Sequence, residues 1–124
     1  WSAQISRDSH MNKHVLALGR MKAGAMNKTE AAYAQKLELH KRAGEVLWYA
    51  FEGVTLKLAD GCRYTPDFAV MLADGVIEMH EVKGYWTEDA RAKIKVAANK
   101  FPFRFVAVYK QAKKDGGGWR FEEF

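Results

Sequence analysis

Apolar positions first recur at helical spacing between residues 27 and 44. One stripe at i, i+3, i+4, i+7 spacing contains Glu30, Tyr33, Ala34 and Leu37. Asn27 stands at an N-cap position with Glu30 three residues later, which is the capping-box pattern. Gly44 follows the stretch as a C-terminal stop. The pattern predicts a first helix here, with the Glu30 carboxylate on its inward stripe.

Three segments in the middle of the chain alternate between apolar and polar positions, as strands do. They run roughly over Val54–Leu58, Arg63–Leu72 and Val76–Lys83. Each is joined to the next by the same Leu-Ala-Asp-Gly sequence, and the glycines Gly61 and Gly75 suit the positive φ of a tight hairpin. The pattern predicts a three-stranded antiparallel meander, and Glu45–Phe51 is a candidate for a further strand before it.

The last part of the chain begins with a second predicted helix. Thr87 is placed to cap it, it runs to about Lys100, and Pro102 blocks its continuation. The apolar run Phe103–Tyr109 indicates a buried strand, parallel to the strand before the helix because a helical crossover joins them. Trp119–Phe124 adds a short edge strand. The elements predict an α/β domain in the order α-β-β-β-α-β, with a mixed central sheet flanked by helices.

Three ranges divide the 124 residues. Residues 1–10 lack the basic start and apolar run of a signal peptide, and we interpret them as a leftover from recombinant expression. Residues 11–26 are basic and interrupted by glycines, which predicts a flexible arm, and residues 27–124 form a single domain. The apolar stretches are far shorter than the roughly 20 residues that span a bilayer, so we expect no membrane partner.

The charge of the chain favours an anionic partner. Its formal net charge is +5 and its sequence pI is about 9.4, which makes nucleic acid the leading candidate. The alternative is that a modest basic excess only aids solubility. Cys62 is the only cysteine, which excludes an internal disulfide and a cysteine-based zinc cluster and favours a reducing, cytoplasmic setting.

The candidate chemistry lies at Asp67, Glu81 and Lys83. Glu81 and Lys83 are two positions apart on one predicted strand, so their side chains leave the same face. If residues 73–75 form a three-residue loop, Leu72 pairs with Val76. Counting outward from that pair, Asp67 then faces Glu81. A two-residue loop at 74–75 would instead turn Asp67 to the other face, so the register decides whether the three side chains meet.

The three-residue loop would also divide the meander into two faces. One is a core surface that carries Glu78 and His80 among the apolar residues Val54, Leu56, Leu58, Tyr64, Phe68, Val70, Leu72, Val76 and Val82. The other holds the candidate site at one end and Ala69, Met71, Ile77 and Met79 at the other. Because His80 points away from Glu81, we interpret it as a structural histidine and not as a general base.

Two acidic groups beside an amine suit a hard divalent cation. Mg²⁺ or Mn²⁺ prefers oxygen ligands, and Mg²⁺ is usually held by one or two carboxylates together with water and substrate phosphate. Such an ion polarises a phosphate and activates water, while Lys83 would position that water or offset charge that builds up on the phosphate. The alternative is a cross-strand salt bridge with one spare acid.

Pro66-Asp67, followed after thirteen residues by Glu81-Val82-Lys83, resembles the signature of the PD-(D/E)XK nucleases. The order of the predicted elements is similar to the restriction-endonuclease-like core of that superfamily. More closely, the segments NKTE (27–30), YTPDF (64–68) and EVKG (81–84) resemble a phage and prophage family of small proteins assigned there. The resemblance spans about residues 27–110.

This resemblance implies metal-dependent phosphodiester hydrolysis. It implies metal ligation by Asp67, Glu81 and the Val82 carbonyl, and catalysis by the Lys83 amine. Glu30 matches an acid of the first helix that many members use to orient a ligand or to help bind the ion. For Glu30 the alternative is a role in the capping box alone.

Residues around these positions are candidates for contacts to nucleic acid: Lys28, Arg63, Thr65, Tyr85, Trp86, Arg91, Lys93 and Lys95. Tyr85 and Trp86 directly follow the motif and suit base stacking or strand opening, with core packing as the alternative. The cations of the second helix form either a phosphate-binding strip or an ordinary solvated face.

These observations predict a Mg²⁺- or Mn²⁺-dependent endonuclease acting on DNA. Analogy with the family adds branched DNA as the preferred substrate. A homodimer would supply the two sites that paired cuts need. The alternatives are an RNA-cleaving nuclease, and a noncatalytic nucleic-acid-binding or phage accessory protein on the same fold.

Overall fold

Two α-helices and seven β-strands lie within residues 24–124, the part of the chain that the computed structural model describes. In chain order they are α1 (Lys28–Arg42), β1 (Val46–Phe51), β2 (Leu56–Ala59), β3 (Cys62–Tyr64), β4 (Phe68–Leu72), β5 (Ile77–Val82), α2 (Glu88–Lys100), β6 (Arg104–Lys110) and β7 (Trp119–Glu123). The predicted expression leftover at 1–10 and residues 11–23 of the predicted arm lie outside the described residues.

Both helices begin at the caps predicted from the sequence. The Asn27 side chain accepts the Glu30 N–H at 2.8 Å, and the Glu30 carboxylate accepts the Asn27 N–H at 2.9 Å, which completes a capping box. In α2 the Thr87 hydroxyl accepts the Ala90 N–H at 3.1 Å. Both helices are therefore confirmed with the predicted starts. Neither helix of residues 24–124 is long and apolar enough to cross a membrane.

The main sheet has five strands in the order β1-β4-β5-β6-β7. Strands β5 and β6 are parallel, as their connection through α2 requires, and the other neighbours are antiparallel. The predicted buried strand after α2 is β6, and the predicted edge strand at the end of the chain is β7. The expectation of an α/β fold with a mixed central sheet and two helices is confirmed.

The predicted meander is wrong in its first strand. Strand β4 pairs with β1, the candidate strand at Glu45–Phe51, while Val54–Leu58 contributes to β2, which forms a separate two-stranded sheet with β3. The predicted strand Arg63–Leu72 is broken at Pro66, which is buried between β3 and β4. Proline lacks the N–H that a central ladder needs and restricts the residue before it, so β3 leaves the main sheet here.

Each face of the sheet is covered by one helix. Helix α1 packs on one face in a cluster formed by Tyr33, Leu37, Val46, Phe68, Val70, Val106 and Val108. Helix α2 and the β2–β3 hairpin cover the other face in a cluster formed by Leu56, Leu58, Tyr64, Ala69, Met79, Ile94, Ala97 and Phe105. The sequence predicted Leu56, Leu58 and Tyr64 of the hairpin on the same face as Phe68 and Val70. Because Pro66 ends the strand pairing there, these hairpin residues lie on the opposite face.

Shortening a side chain should change the free energy of unfolding by very different amounts on the two sides of α2. Ile94 is 0% exposed and Val96 is 48% exposed on the same helix. We expect Ile94→Ala to lower the free energy of unfolding by about 2 to 5 kcal/mol because it leaves a cavity against the sheet. Val96→Ala should change it by less than about 1 kcal/mol. Urea unfolding followed by circular dichroism measures both, and equal losses would contradict this packing.

Candidate active site

The hairpin between β4 and β5 sets the geometry of the site. Its loop has three residues, because the Leu72 N–H donates to the Val76 carbonyl at 2.9 Å and Gly75 takes a φ of +88°. The ladder keeps this register along both strands. When the same pairing is continued to the residue before β4, Asp67 lies opposite Glu81. The three-residue loop is therefore confirmed over the two-residue alternative.

Hydrogen bonds tie the two carboxylates to each other's strands. The Val82 N–H donates to Oδ2 of Asp67 at 2.8 Å, and the Asp67 N–H donates to Oε1 of Glu81 at 3.1 Å. Lys83 directly follows the end of β5, and its Nζ lies 3.2 Å from Oε2 of Glu81. The structure thus brings together Asp67, Glu81 and Lys83, as the register predicted.

Tyr64 is a site residue that the sequence reasoning assigned only to the core. It lies at the end of β3, and its hydroxyl donates to Oε1 of Glu81 at 3.0 Å. Burial and the negative charge of Glu81 raise the pKa of Tyr64 above its ordinary value, so the phenol keeps its proton. The sequence signal was a tyrosine at a core position three residues before Asp67, since a buried hydroxyl needs a partner.

The site carries more negative than positive charge in a partly dry setting. Glu81 is only 8% exposed. Burial, and then the negative charge of Glu81, raise the pKa of Asp67 from its ordinary value to about 8. The charge of Glu30 acts in the same direction, while the Val82 N–H and the Lys83 ammonium act against it. Lys83 alone does not compensate the two acids.

The carboxylate oxygens differ in what they already bind. Backbone and tyrosine donors use Oδ2 of Asp67 and Oε1 of Glu81, so a cation would take Oδ1 of Asp67 and share Oε2 of Glu81 with the Lys83 ammonium. Within residues 24–124 no group of three or more histidine, cysteine or acidic side chains is arranged around one metal position. Two carboxylates nevertheless fit Mg²⁺, which commonly takes its other ligands from water and substrate phosphate. The Val82 carbonyl stays a predicted third ligand.

Glu30 lies at the start of α1 with its carboxylate engaged in the capping box. Its capping role is confirmed. Its negative charge also contributes to the raised pKa of Asp67, so it acts on the same site electrostatically. A role of Glu30 in orienting a metal ligand stays a prediction.

Tyr85 and Trp86 have different environments. The Trp86 ring has the Lys83 ammonium at 5.1 Å and the Arg91 guanidinium at 5.4 Å from its centre, and its N–H donates to the Tyr109 hydroxyl. Trp86 is therefore packed under the site. Tyr85 is 81% exposed and is free to stack on a ligand.

The basic residues predicted to contact phosphate have different surroundings. Arg91 pairs with Glu122 at 2.7 Å, so its guanidinium is already engaged with β7. Nζ of Lys93 donates to the Arg63 carbonyl at 3.3 Å, which places the Lys93 ammonium beside β3 where α2 meets the hairpin. Lys95 borders a shallow pocket beside Phe124.

The remaining two candidates are exposed near the ends of elements. Lys28 begins α1, next to the capping box. Thr65 follows β3, and its hydroxyl is hydrogen-bonded to the Thr55 hydroxyl at 2.8 Å. Contacts of these residues to nucleic acid stay predictions.

His80 lies on the opposite face of the sheet, as predicted. The Tyr33 hydroxyl is 2.6 Å from its Nδ1, and Glu78 is 2.8 Å from its Nε2. Arg104 in turn lies 3.3 Å from Glu78. The interpretation of His80 as a structural histidine agrees with this buried network under α1.

The chain was compared with known protein families, curated proteins and solved structures. Residues 22–116 match the family described as "Protein of unknown function (DUF1064)", and the chain belongs to this family. The matched range includes the whole candidate site. Neither the curated proteins nor the solved structures give a match.

The raised pKa of Asp67 predicts how the metal-free protein responds to pH. Asp67 ionises near pH 4 in the unfolded chain and near pH 8 in the folded protein. Between these pH values the folded state therefore keeps a proton on Asp67 that the unfolded state has lost. The stability from that proton is lost as the pH rises toward 8. We expect the free energy of unfolding to fall by on the order of 1 kcal/mol between about pH 6 and about pH 8.

Asp67→Asn should remove most of this pH dependence, because the amide is neutral and its oxygen can still accept the Val82 N–H. Asp60→Asn is the matched control, since Asp60 is exposed at the tip of the β2–β3 hairpin. Urea unfolding in EDTA at both pH values measures the effect. A pH dependence that persists in Asp67→Asn would show that Asp67 is not its source.

Proposed function

We propose that this member of the DUF1064 family is a metal-dependent endonuclease that hydrolyses phosphodiester bonds in DNA on a PD-(D/E)XK core. The observation that carries the proposal is the meeting of Asp67, Glu81 and Lys83 where β4 and β5 lie side by side. These three residue types, in this order, are what the resemblance implies for the active site.

The order of elements supports the proposed core. Helix α1, strands β1, β4 and β5, helix α2 and strand β6 follow one another in the order α-β-β-β-α-β. The β2–β3 hairpin is inserted between the first two of these strands, and β7 is added at the sheet edge. The site lies at one end of β4 and β5, which are antiparallel neighbours in the main sheet.

The charge balance argues against a purely structural ion pair. One amine and one carboxylate would compensate each other, and the Glu81–Lys83 pair does so. Asp67 adds a second buried acid whose ionisation the fold opposes. A partly buried charge without compensation costs stability, and such strained groups are concentrated at functional sites.

The residues have distinct proposed roles. Oδ1 of Asp67 and Oε2 of Glu81 would hold the cation, which supplies polarisation of the phosphate and activation of water when bound. Lys83 lies beside Glu81 and over Trp86, so its ammonium is held at the opening of the site. There it offsets negative charge that develops on the phosphate, or positions the attacking water.

The proposed partner is DNA, with branched or structured DNA as the substrate. The net charge of +5 favours a polyanion, and the exposed Tyr85 beside the motif suits stacking on an unpaired base. We place the activity in the cytoplasm of a bacterial host that carries the phage or prophage gene. A homodimer would provide two sites for paired cuts.

Cleavage should depend on the cation and on two side chains. With plasmid and branched DNA, we expect cleavage in Mg²⁺ or Mn²⁺ and none in EDTA. Asp67→Asn and Lys83→Gln should each lower the initial rate at least about 100-fold, because the first weakens the ligation of the cation and the second removes positive charge beside the reacting phosphate. Lys114→Gln, in the exposed turn before β7, is the charge-matched control.

Other outcomes separate the alternatives. Cleavage that persists in EDTA, or that tolerates both substitutions, would refute the mechanism. Tight DNA binding without cleavage by the unsubstituted protein would favour a noncatalytic binding protein. A parallel series with RNA identifies the nucleic acid.

Removal of the exposed ring should weaken binding to unpaired bases. We expect Tyr85→Ala to raise the dissociation constant for branched DNA about tenfold, because stacking on an aromatic ring contributes about 1 to 3 kcal/mol per base. Binding to uninterrupted duplex should change little. Fluorescence anisotropy in EDTA measures both, and Phe121→Ala on β7 serves as the exposed-aromatic control. Equal losses on both DNAs would contradict a stacking role.

A further inference from the structure

The β2–β3 hairpin brings one polar group to the candidate site. Tyr64 ends β3, and its ring is buried against Ala69 and Met79 of the main sheet. Its hydroxyl reaches Oε1 of Glu81 at 3.0 Å. A segment that does not belong to the main sheet thus contributes directly to the surroundings of a site carboxylate.

The Glu81 carboxylate is held at both oxygens. Oε1 accepts two neutral donors, the Tyr64 hydroxyl and the Asp67 N–H. Oε2 pairs with the Lys83 ammonium at 3.2 Å. Rotation about the last bond of a free glutamate is broad, and these three bonds reduce it to one orientation. The two donors to Oε1 are neutral, so they hold the carboxylate without adding positive charge to that of Lys83.

The hairpin itself is fixed to its surroundings. Nζ of Lys100 donates to the Leu58 carbonyl at 2.9 Å, and Nζ of Lys93 donates to the Arg63 carbonyl at 3.3 Å. Both lysines lie on α2, so the helix holds both strands of the hairpin. The Tyr64 hydroxyl is therefore presented from a supported position and not from a loose loop.

We propose that Tyr64 is a positioning residue, which holds Glu81 in the orientation that presents Oε2 to a divalent cation. The inference rests on the proposed metal site at Asp67 and Glu81. Donors behind a metal ligand fix its orientation, and their loss typically weakens metal binding by 10- to 100-fold. Without the phenol, only the Asp67 N–H and the Lys83 ammonium hold Glu81, and part of its orientation has to come from the ion.

The test removes one oxygen atom from each of two buried tyrosines. Tyr64→Phe deletes the bond to Glu81 and keeps the ring contacts. Tyr33→Phe deletes the bond to His80 on the opposite face of the sheet and is the matched control. Calorimetric titration of the metal-free protein with Mn²⁺ should give a dissociation constant about tenfold higher for Tyr64→Phe and within about twofold of the original for Tyr33→Phe.

The electron paramagnetic resonance spectrum of bound Mn²⁺ gives a second readout. It should change in Tyr64→Phe, where the ligand geometry is less fixed, and stay unchanged in Tyr33→Phe. Urea unfolding shows that both variants are folded. These measurements do not depend on nuclease activity.

The outcomes are distinguishable. Unchanged Mn²⁺ binding in Tyr64→Phe, with normal binding in the unsubstituted protein, would overturn the positioning role and leave the proposed function intact. Equal weakening in both variants would assign the effect to a general loosening of the core and also overturn it. A lack of Mn²⁺ binding in the unsubstituted protein would overturn the metal site itself, and the proposed function with it.

Discussion

The site depends on the register of one antiparallel pair of strands. The three-residue loop with Gly75 at positive φ fixes how β4 lies against β5, and through that pairing it sets Asp67 opposite Glu81. A slip of one residue would turn every side chain of one strand to the opposite face and separate the two acids. The bonds from Val82 to Asp67 and from Asp67 to Glu81 use the same register, so the loop and the site stabilise each other.

The second constraint is electrostatic. Burying Asp67 and bringing it beside Glu81 under one amine costs free energy, and the raised pKa of Asp67 expresses that cost. Hydrogen bonds from backbone N–H groups and from Tyr64 reduce it, but a neutral donor does not supply positive charge. A divalent cation would. The proposed metal site would supply the positive charge that the surrounding residues do not.

Local signals in the sequence carried much of the prediction. The capping residues Asn27 and Thr87 and the loop glycine Gly75 each act within a few residues, so the helix starts were predictable and the hairpin register was limited to two alternatives. The pairing between distant strands was not predictable, because β1 and the β2 segment have similar apolar alternation. The break at Pro66 decided between them by taking β3 out of the main sheet, and the position of Tyr64 above Glu81 follows from that break.

Strand β5 carries buried polar groups on both faces, and their charge balance separates structure from function. Under α1, Glu78 has His80 on one side and Arg104 on the other, which lower its pKa, so this network compensates its own charge. On the opposite face, burial and then the negative charge of Glu81 raise the pKa of Asp67. A buried network that serves only the fold can satisfy each of its members. The face that leaves an acid without compensation is the face to which we assign the proposed metal site, so the same strand supports a closed network on one face and a candidate active site on the other.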